Sequence, residues 1–230
     1  MFITLEGIEG VGKTTLANRM AAVFREKGHE VLLTREPGGC ELGRQLRALL
    51  LDVHATLCSE SELFLFLADR AQHVTEVIRP FLSRGGIVIC DRFVDSTIVY
   101  QGYGRGLPLE TLQRLNEVAI SGLWPDITFV LDMEPLAALR RARTRNIRQG
   151  LDSTEGRFEA EDIAFHRRIG EGFALWAKRN PERMVVLDAT NTPDNLCKLA
   201  ISHVGGFFTE PSCSEKGAVT DFGLQQQREK

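Results

Sequence analysis

Eight contiguous residues, Gly7-Ile8-Glu9-Gly10-Val11-Gly12-Lys13-Thr14, fit the pattern G-x-x-x-x-G-K-[ST] without a mismatch. Gly7, Gly10 and Gly12 allow backbone angles closed to other residues, so successive N–H groups can crowd around phosphate oxygens at a helix N-terminus, whose dipole favours anions. Lys13 is placed to reach the β- and γ-phosphates of a nucleotide, and the Thr14 hydroxyl to hold Mg²⁺ bridging them. The same letters could spell a glycine-rich turn that binds nothing. The flanks argue otherwise: Met1 to Leu5 is short, apolar and β-branched like a buried strand, and Thr15 to Lys27 has helical spacing.

Other residues could share that chemistry. Asp91 follows the apolar run Ile87-Val88-Ile89-Cys90, the setting of an acidic residue that holds Mg²⁺ directly or through water, and Arg92 beside it is a natural ligand for a second phosphate. Arg140, Arg141, Arg143, Arg145 and Arg148 crowd one helix, with Arg157 beyond a small, polar stretch. Most of these are expected on a solvated helix face. The phosphate loop itself contains no arginine, however, and a guanidinium on the transferred phosphoryl group is worth roughly 10³ to 10⁵ in rate. Arg145 and Arg157 are the expected suppliers, and the sequence does not order them. Phe66 and Arg70, four apart on a helix, share a face that could clasp a base; the same spacing equally marks a helix core.

These side chains must be held by strands and helices that alternate. Glu30 to Thr34, Ile87 to Cys90, Asp126 to Leu131 and Met184 to Leu187 follow the first strand, with amphipathic helices between them. Leu42, Leu46, Leu49 and Leu50 mark a short helix. Ser59 with Glu62 reads as a capping box opening a long helix through Phe64 and Leu67 towards Ile78, with Pro80 restarting it. Val94 to Tyr100 reads as helix, and Gly102, Gly104 and Gly106 as a flexible turn. Pro108 opens a helix with a stripe of Leu112, Leu115, Val118 and Ala119, and Thr192-Pro193 caps the last helix. Alternation of this kind predicts a three-layer α/β/α fold, a five-stranded parallel sheet with helices on both faces as in P-loop NTPases. Ligands then belong at the carboxyl ends of the strands, where the glycine loop, the Arg35 turn and Asp91-Arg92 all fall.

The chain has 230 residues, suited to one domain of about 1–205, including a mobile cover near 143–157, and a loosely held tail over 206–230. A net charge of -3 sets up no global field for nucleic acid or acidic membrane. Five scattered cysteines, with no C-x-x-C pair, suit a reducing cytoplasm. No basic leader precedes the first strand and no apolar run approaches membrane-spanning length, which points to neither export nor insertion.

Taken together, the glycine loop with Thr15, Thr34-Arg35-Glu36-Pro37-Gly38-Gly39, Leu65-Phe66-Leu67-Ala68-Asp69-Arg70, Asp91-Arg92-Phe93, Asp95-Ser96-Thr97 and Tyr100-Gln101-Gly102 resemble thymidylate kinases over about residues 1–200. The resemblance implies ATP-dependent phosphorylation of dTMP to dTDP, no nucleic-acid or membrane partner, and a homodimer built through helices of the first half. It further implies that Phe66 stacks on thymine, that Arg70 and Thr97 bond the base's polar edge, and that Arg92 grips the acceptor phosphate. Tyr100 would crowd the sugar's 2′ side and Glu9 would approach the 3′-hydroxyl, with Arg35, Glu36, Ser96 and Gln101 in the same substrate-binding set. The arginine-bearing cover matches the bacterial type. Departures are Cys40 after the Gly-Gly pair, a longer cover carrying Asp152 to Gly156, and the tail. A deoxynucleoside kinase would leave Arg92 and the Arg35 turn facing a neutral sugar. A GTP switch would call for N-K-x-D and D-x-x-G segments, which the sequence lacks.

Overall fold

The computed structural model describes residues 1–149 and 156–205, so the expected tail and the middle of the expected cover lie outside the described residues. Five parallel strands, β1 (Phe2–Glu6), β2 (Val31–Arg35), β3 (Ile87–Asp91), β4 (Ile127–Asp132) and β5 (Met184–Asp188), form one sheet in the order β2-β3-β1-β4-β5. The chain leaves β1 for β2 in one direction and β3 for β4 in the other, and right-handed crossovers then put the connecting helices on opposite faces. α1 (Lys13–Glu26) packs against β1, β2 and β3 and against the last helix, α9 (Pro193–Val204). α8 (Ile163–Arg179) packs against β4 and β5 and against a π-helical segment, Ile98–Gly104. The three-layer parallel fold expected from the sequence is therefore present. Because β1 and β3 are neighbours whose chains depart in opposite directions, a crevice opens at their carboxyl ends.

Register fixes that edge. Leu5 and Arg35 both lie opposite Asp91, so the residues beginning the glycine loop, the Arg35 turn and Asp91-Arg92 stand at one level. Strands β1, β3 and β4 are buried on both faces, and their apolar residues join α1, α8 and α9 in one core. Burying apolar area at about 25 cal/mol per Å² makes this core the main source of stability.

The remaining helices are α2 (Glu41–Leu51), α3 (Ser59–His73), α4 (Arg79–Leu82), α5 (Val94–Thr97), α6 (Leu109–Ile120) and α7 (Pro135–Gln149). Asp162 and Thr192 cap α8 and α9 through bonds from Phe165 N and Asn195 N. Several expectations need correction. Glu62 closes no capping box: Cys58 is the N-cap of α3, and the Glu62 carboxylate is buried on Gln101, Arg105 and Arg157. A π-helical stretch, Val74–Ile78, joins α3 to α4. Gly102 and Gly104 lie inside the second π-helical segment rather than in a flexible turn, because Leu109 and Phe165 pack where a side chain would stand. Val118 is 77% exposed and so does not belong to the buried part of the stripe assigned to its helix, and Phe64 on α3 is 58% exposed. Among the described residues no helix is long and apolar enough to cross a membrane.

Candidate active site

The crevice is a cleft of about 940 Å³. Its walls are the glycine loop, the Arg35–Gly39 turn, Phe66 and Arg70 of α3, Asp91 to Gln101, and the inner face of α7 with Phe158 and Glu159. The loop's shape follows from its glycines, with φ of 126° at Gly7, 81° at Gly10 and 101° at Gly12. A Cβ on Gly10 would lie 2.0 Å from the Ala138 carbonyl oxygen, so α7 rests directly on the loop and points its next turns into the cleft. Gly7, Ile8 and Val11 form the loop's underside; Gly10, Gly12, Lys13, Thr14 and Thr15 face the cavity.

Lys13 is buried and its Nζ donates to the Gly7 and Ile8 carbonyl oxygens at 3.0 and 2.8 Å. Burial, reinforced by Arg92, pulls its pKa down to about 8, against the opposing carboxylates of Asp91, Glu9 and Glu6. Thr14 Oγ1 donates to Asp91 Oδ2 at 2.8 Å, which joins the two expected metal-binding residues across the β1–β3 crevice.

Arg92 lines the cleft beside the glycine loop. It adopts a left-handed φ of 71°, and its backbone N–H donates to Leu5 O. Its guanidinium donates to Glu9 Oε1 at 2.7 Å and to Ser96 Oγ at 3.2 Å and lies 4.9 Å from the centre of the Tyr100 ring. Burial opposes this charge, and Tyr100 with the carboxylates of Glu9, Asp91 and Glu6 more than restores it. Burial likewise opposes ionisation of Glu9, yet Arg92, Lys13 and the Tyr100 hydroxyl hold its pKa below the usual carboxylate value. Tyr100 donates its hydroxyl to Glu9 Oε1 at 2.7 Å, while Glu9 Oε2 accepts no hydrogen bond among the described residues.

Arg70 is buried, and four of its N–H directions are occupied: Nε on Glu36 Oε2, Nη1 on Thr97 Oγ1 and Asn116 Oδ1, and Nη2 on Phe93 O. Five donors exist, so one remains for a ligand in the cleft. Glu36 also meets His73 Nδ1 at 3.0 Å, and His73 Nε2 meets Thr34 Oγ1 at 2.7 Å. Glu36 is thus spent on holding Arg70, and Gln101 Nε2 on Glu62 Oε1. Both line the cleft. Phe66 presents its ring 6.2 Å from that of Phe158, and Arg35 stands exposed at the rim.

The expected cover arginines separate. Arg145, half exposed, lines the cleft and donates to Asn146 Oδ1 at 3.1 and 2.8 Å. Arg157 is outside the cleft wall: it donates to Leu50 O at 2.6 Å and Glu62 Oε2 at 2.7 Å, and its guanidinium covers Phe158. Arg141 lines the cleft beside Arg145, and its four-residue offset was a signal available in the sequence. Asn146 and Glu6 carried no such signal.

The sequence profile of the family described as thymidylate kinase matches residues 5–199. A thymidylate kinase from Nitratidesulfovibrio vulgaris is 54% identical over 213 residues, covering 92% of this chain and 99% of that protein. One from Oleidesulfovibrio alaskensis is 55% identical over 210 residues, covering 91% and 99%. The crystal structure of thymidylate kinase from Ehrlichia chaffeensis superposes with a TM-score of 0.70 at 37% identity, covering 89% of this chain and 98% of that one. The family profile spans most of the chain, the similarity extends over nearly the whole length of these relatives, and the chain belongs to the thymidylate kinase family.

Proposed function

We propose that this chain transfers the γ-phosphoryl group of ATP to the phosphate of dTMP, giving dTDP, with the two anions meeting along the β1–β3 edge. The observation that carries this assignment is Arg92: its guanidinium stands 2.7 Å from Glu9 of the phosphate loop, where a second phosphate would face the first. Such chemistry needs positioning and charge stabilisation rather than a covalent intermediate.

On the donor side the backbone from Gly7 to Thr15 receives the phosphates. Lys13 exchanges its bonds to Gly7 O and Ile8 O for phosphate oxygens. Thr14 and Asp91, already in contact, fit a Mg²⁺ that keeps several waters and takes only one or two protein oxygens. When bound, that ion neutralises charge developing on the transferred group. On the acceptor side Phe66 stacks on thymine, the remaining Arg70 donor and Thr97 bond its polar edge, and Tyr100 and Glu9 bracket the deoxyribose. Ser96 steadies Arg92, and Glu36 and Gln101 fix the pocket from behind. Arg145 is placed to meet the donor; Arg157 joins it by giving up Glu62 as the cover closes and excludes water.

An ADP-release assay tests the assignment: turnover should rise on adding dTMP and remain at background with thymidine. Strong preference for thymidine or for another monophosphate would overturn it.

The same proposal includes a homodimer in the cytoplasm. Leu42 and Leu49 on α2, Phe64 on α3 and Val118 on α6 are exposed on helices that pack side by side, an apolar surface suited to a second copy. Sedimentation should give a dimer that Phe64→Glu dissociates; a wild-type monomer at micromolar concentration would refute it.

A further inference from the structure

Glu6 is the last residue of β1, fully buried, and next to the first glycine of the phosphate loop. A carboxylate there has a heavy desolvation cost, and burial together with Asp95 raises its pKa to about 7 against the bonds and charge of Ser96, Arg92 and Phe93. Its contacts run to one place. Oε1 accepts from Phe93 N at 2.8 Å and Ser96 N at 3.3 Å, and Oε2 accepts from Ser96 Oγ at 2.6 Å. All three donors belong to the turn that follows Arg92.

The Ser96 hydroxyl has one proton, and Glu6 takes it. The lone pairs left on Oγ then face Arg92 Nη1, 3.2 Å away. Arg92 needs such bracing, since its φ of 71° is a conformation that side-chain-bearing residues adopt at a cost of roughly 1–2 kcal/mol. From the other side Leu5 O, one residue before Glu6, accepts the Arg92 N–H at 2.9 Å. The end of β1 therefore grips Arg92 twice, through its backbone and, by way of Ser96, through its guanidinium. The same strand end launches the loop that receives the donor.

We propose that Glu6 is a positioning residue for phosphoryl transfer: acting through Ser96, it sets the guanidinium of Arg92 at a fixed distance from the phosphate loop, and so sets the approach of acceptor phosphate to donor. This rests on the assignment of Arg92 to the acceptor's phosphate. In Glu6→Gln the amide fills the same volume, but above pH 7, where the Glu6 carboxylate is ionised and where the comparison is made, it puts a donor against Ser96 in place of the anion. Arg92 then competes for the serine's lone pairs and loses an opposing charge.

The test compares ligands that differ by the phosphate alone. Wild type, Glu6→Gln, Ser96→Ala and the double variant are titrated calorimetrically with dTMP and with thymidine, and their turnover is measured with ATP and dTMP. The expected result is a dTMP affinity at least tenfold lower in Glu6→Gln, with thymidine affinity and the KM for ATP within twofold of wild type. Ser96→Ala should show the same selective loss, and the double variant should lose no more than about the larger single loss, because the two act in series. Equal losses for dTMP and thymidine would show Glu6 to be merely structural and overturn the proposal. So would additive losses, or an unchanged dTMP affinity in both single variants. Should Glu6→Gln not fold, Glu6→Asp, which keeps the charge but withdraws it from Ser96 by one methylene, takes its place in the same comparison. Wild type binding dTMP no better than thymidine would instead refute the assignment of Arg92.

Discussion

A methyl group added at Gly10 tests how the cover helix is seated. A Cβ there would stand 2.0 Å from Ala138 O and 2.9 Å from Ala142 N, both backbone atoms of α7 that no rotamer change can move. Ordinary contact begins at 3.4 Å, so α7 must retreat by about 1 Å or more. Overpacking of this kind costs roughly 1–3 kcal/mol, and the φ of 81° adds roughly 1–2 kcal/mol for a side-chain-bearing residue. The sum, about 2–5 kcal/mol, corresponds to a Tm lowered by roughly 4–20 °C for a domain of this size. Activity should suffer more, because α7 carries Arg141 and Arg145, and a 1 Å misplacement costs on the order of 100-fold. Apart from Glu9, which Arg92 and Tyr100 hold in place, the proposed dTMP site is built on α3 and the Asp91–Gln101 segment, so calorimetric dTMP affinity should fall much less than turnover. Gly28→Ala is the control: its φ is 86°, nothing lies within 4 Å of its Cβ, and it sits at the end of α1. It should lower Tm by only a few degrees, on the order of 1–2 kcal/mol, and leave turnover unchanged. Wild-type turnover in Gly10→Ala, or equal loss in both variants, would refute the seating of α7 on the loop.

Lys13→Ala should lower turnover by roughly 10³ or more while circular dichroism stays native, and an active variant would remove Lys13 from the transfer step. Arg70→Ala should weaken dTMP by roughly 10- to 150-fold, the worth of a charged hydrogen bond, with ATP affinity little changed; matched losses would take Arg70 out of the base site. Glu62→Gln should cost about 2–4 kcal/mol in urea denaturation at pH 7, since Arg105 keeps Glu161 and Arg157 keeps Leu50 O. Burial opposes ionisation of Glu62, but Arg105, Gln101 and Arg157 leave its folded pKa below 4.5; its contribution is therefore present above pH 4.5 and fades as pH falls through the folded value. The wild-type advantage should shrink in melts towards pH 3, and a gap that persists there would contradict an ionic role.

The phosphate loop was legible because its chemistry is written in consecutive residues: glycine positions set backbone angles, and those angles aim N–H groups whatever surrounds them. Its place beside Asp91-Arg92 was legible too, since parallel strands put every carboxyl end on one edge. The strand order was not, because alternating apolar segments do not say which strands become neighbours. The same limit hid Glu6, which reads as an ordinary charge at a strand end until β3 brings Ser96 within 2.6 Å, ninety positions away. Glu62 misled for a related reason. The local S-x-x-E pattern offers a cap worth about 1 kcal/mol, and two arginines from distant segments offered the carboxylate a stronger, buried alternative. Arg145 and Arg157 look equivalent in a list of arginines; the packing of α7 on Gly10 carries one to the cleft, and Glu62 holds the other away. Local backbone preference thus determined what this chain could bind. Contacts between residues far apart in sequence decided which charged side chains face the ligands and which hold the others in place, since that depends on what each meets when the core closes.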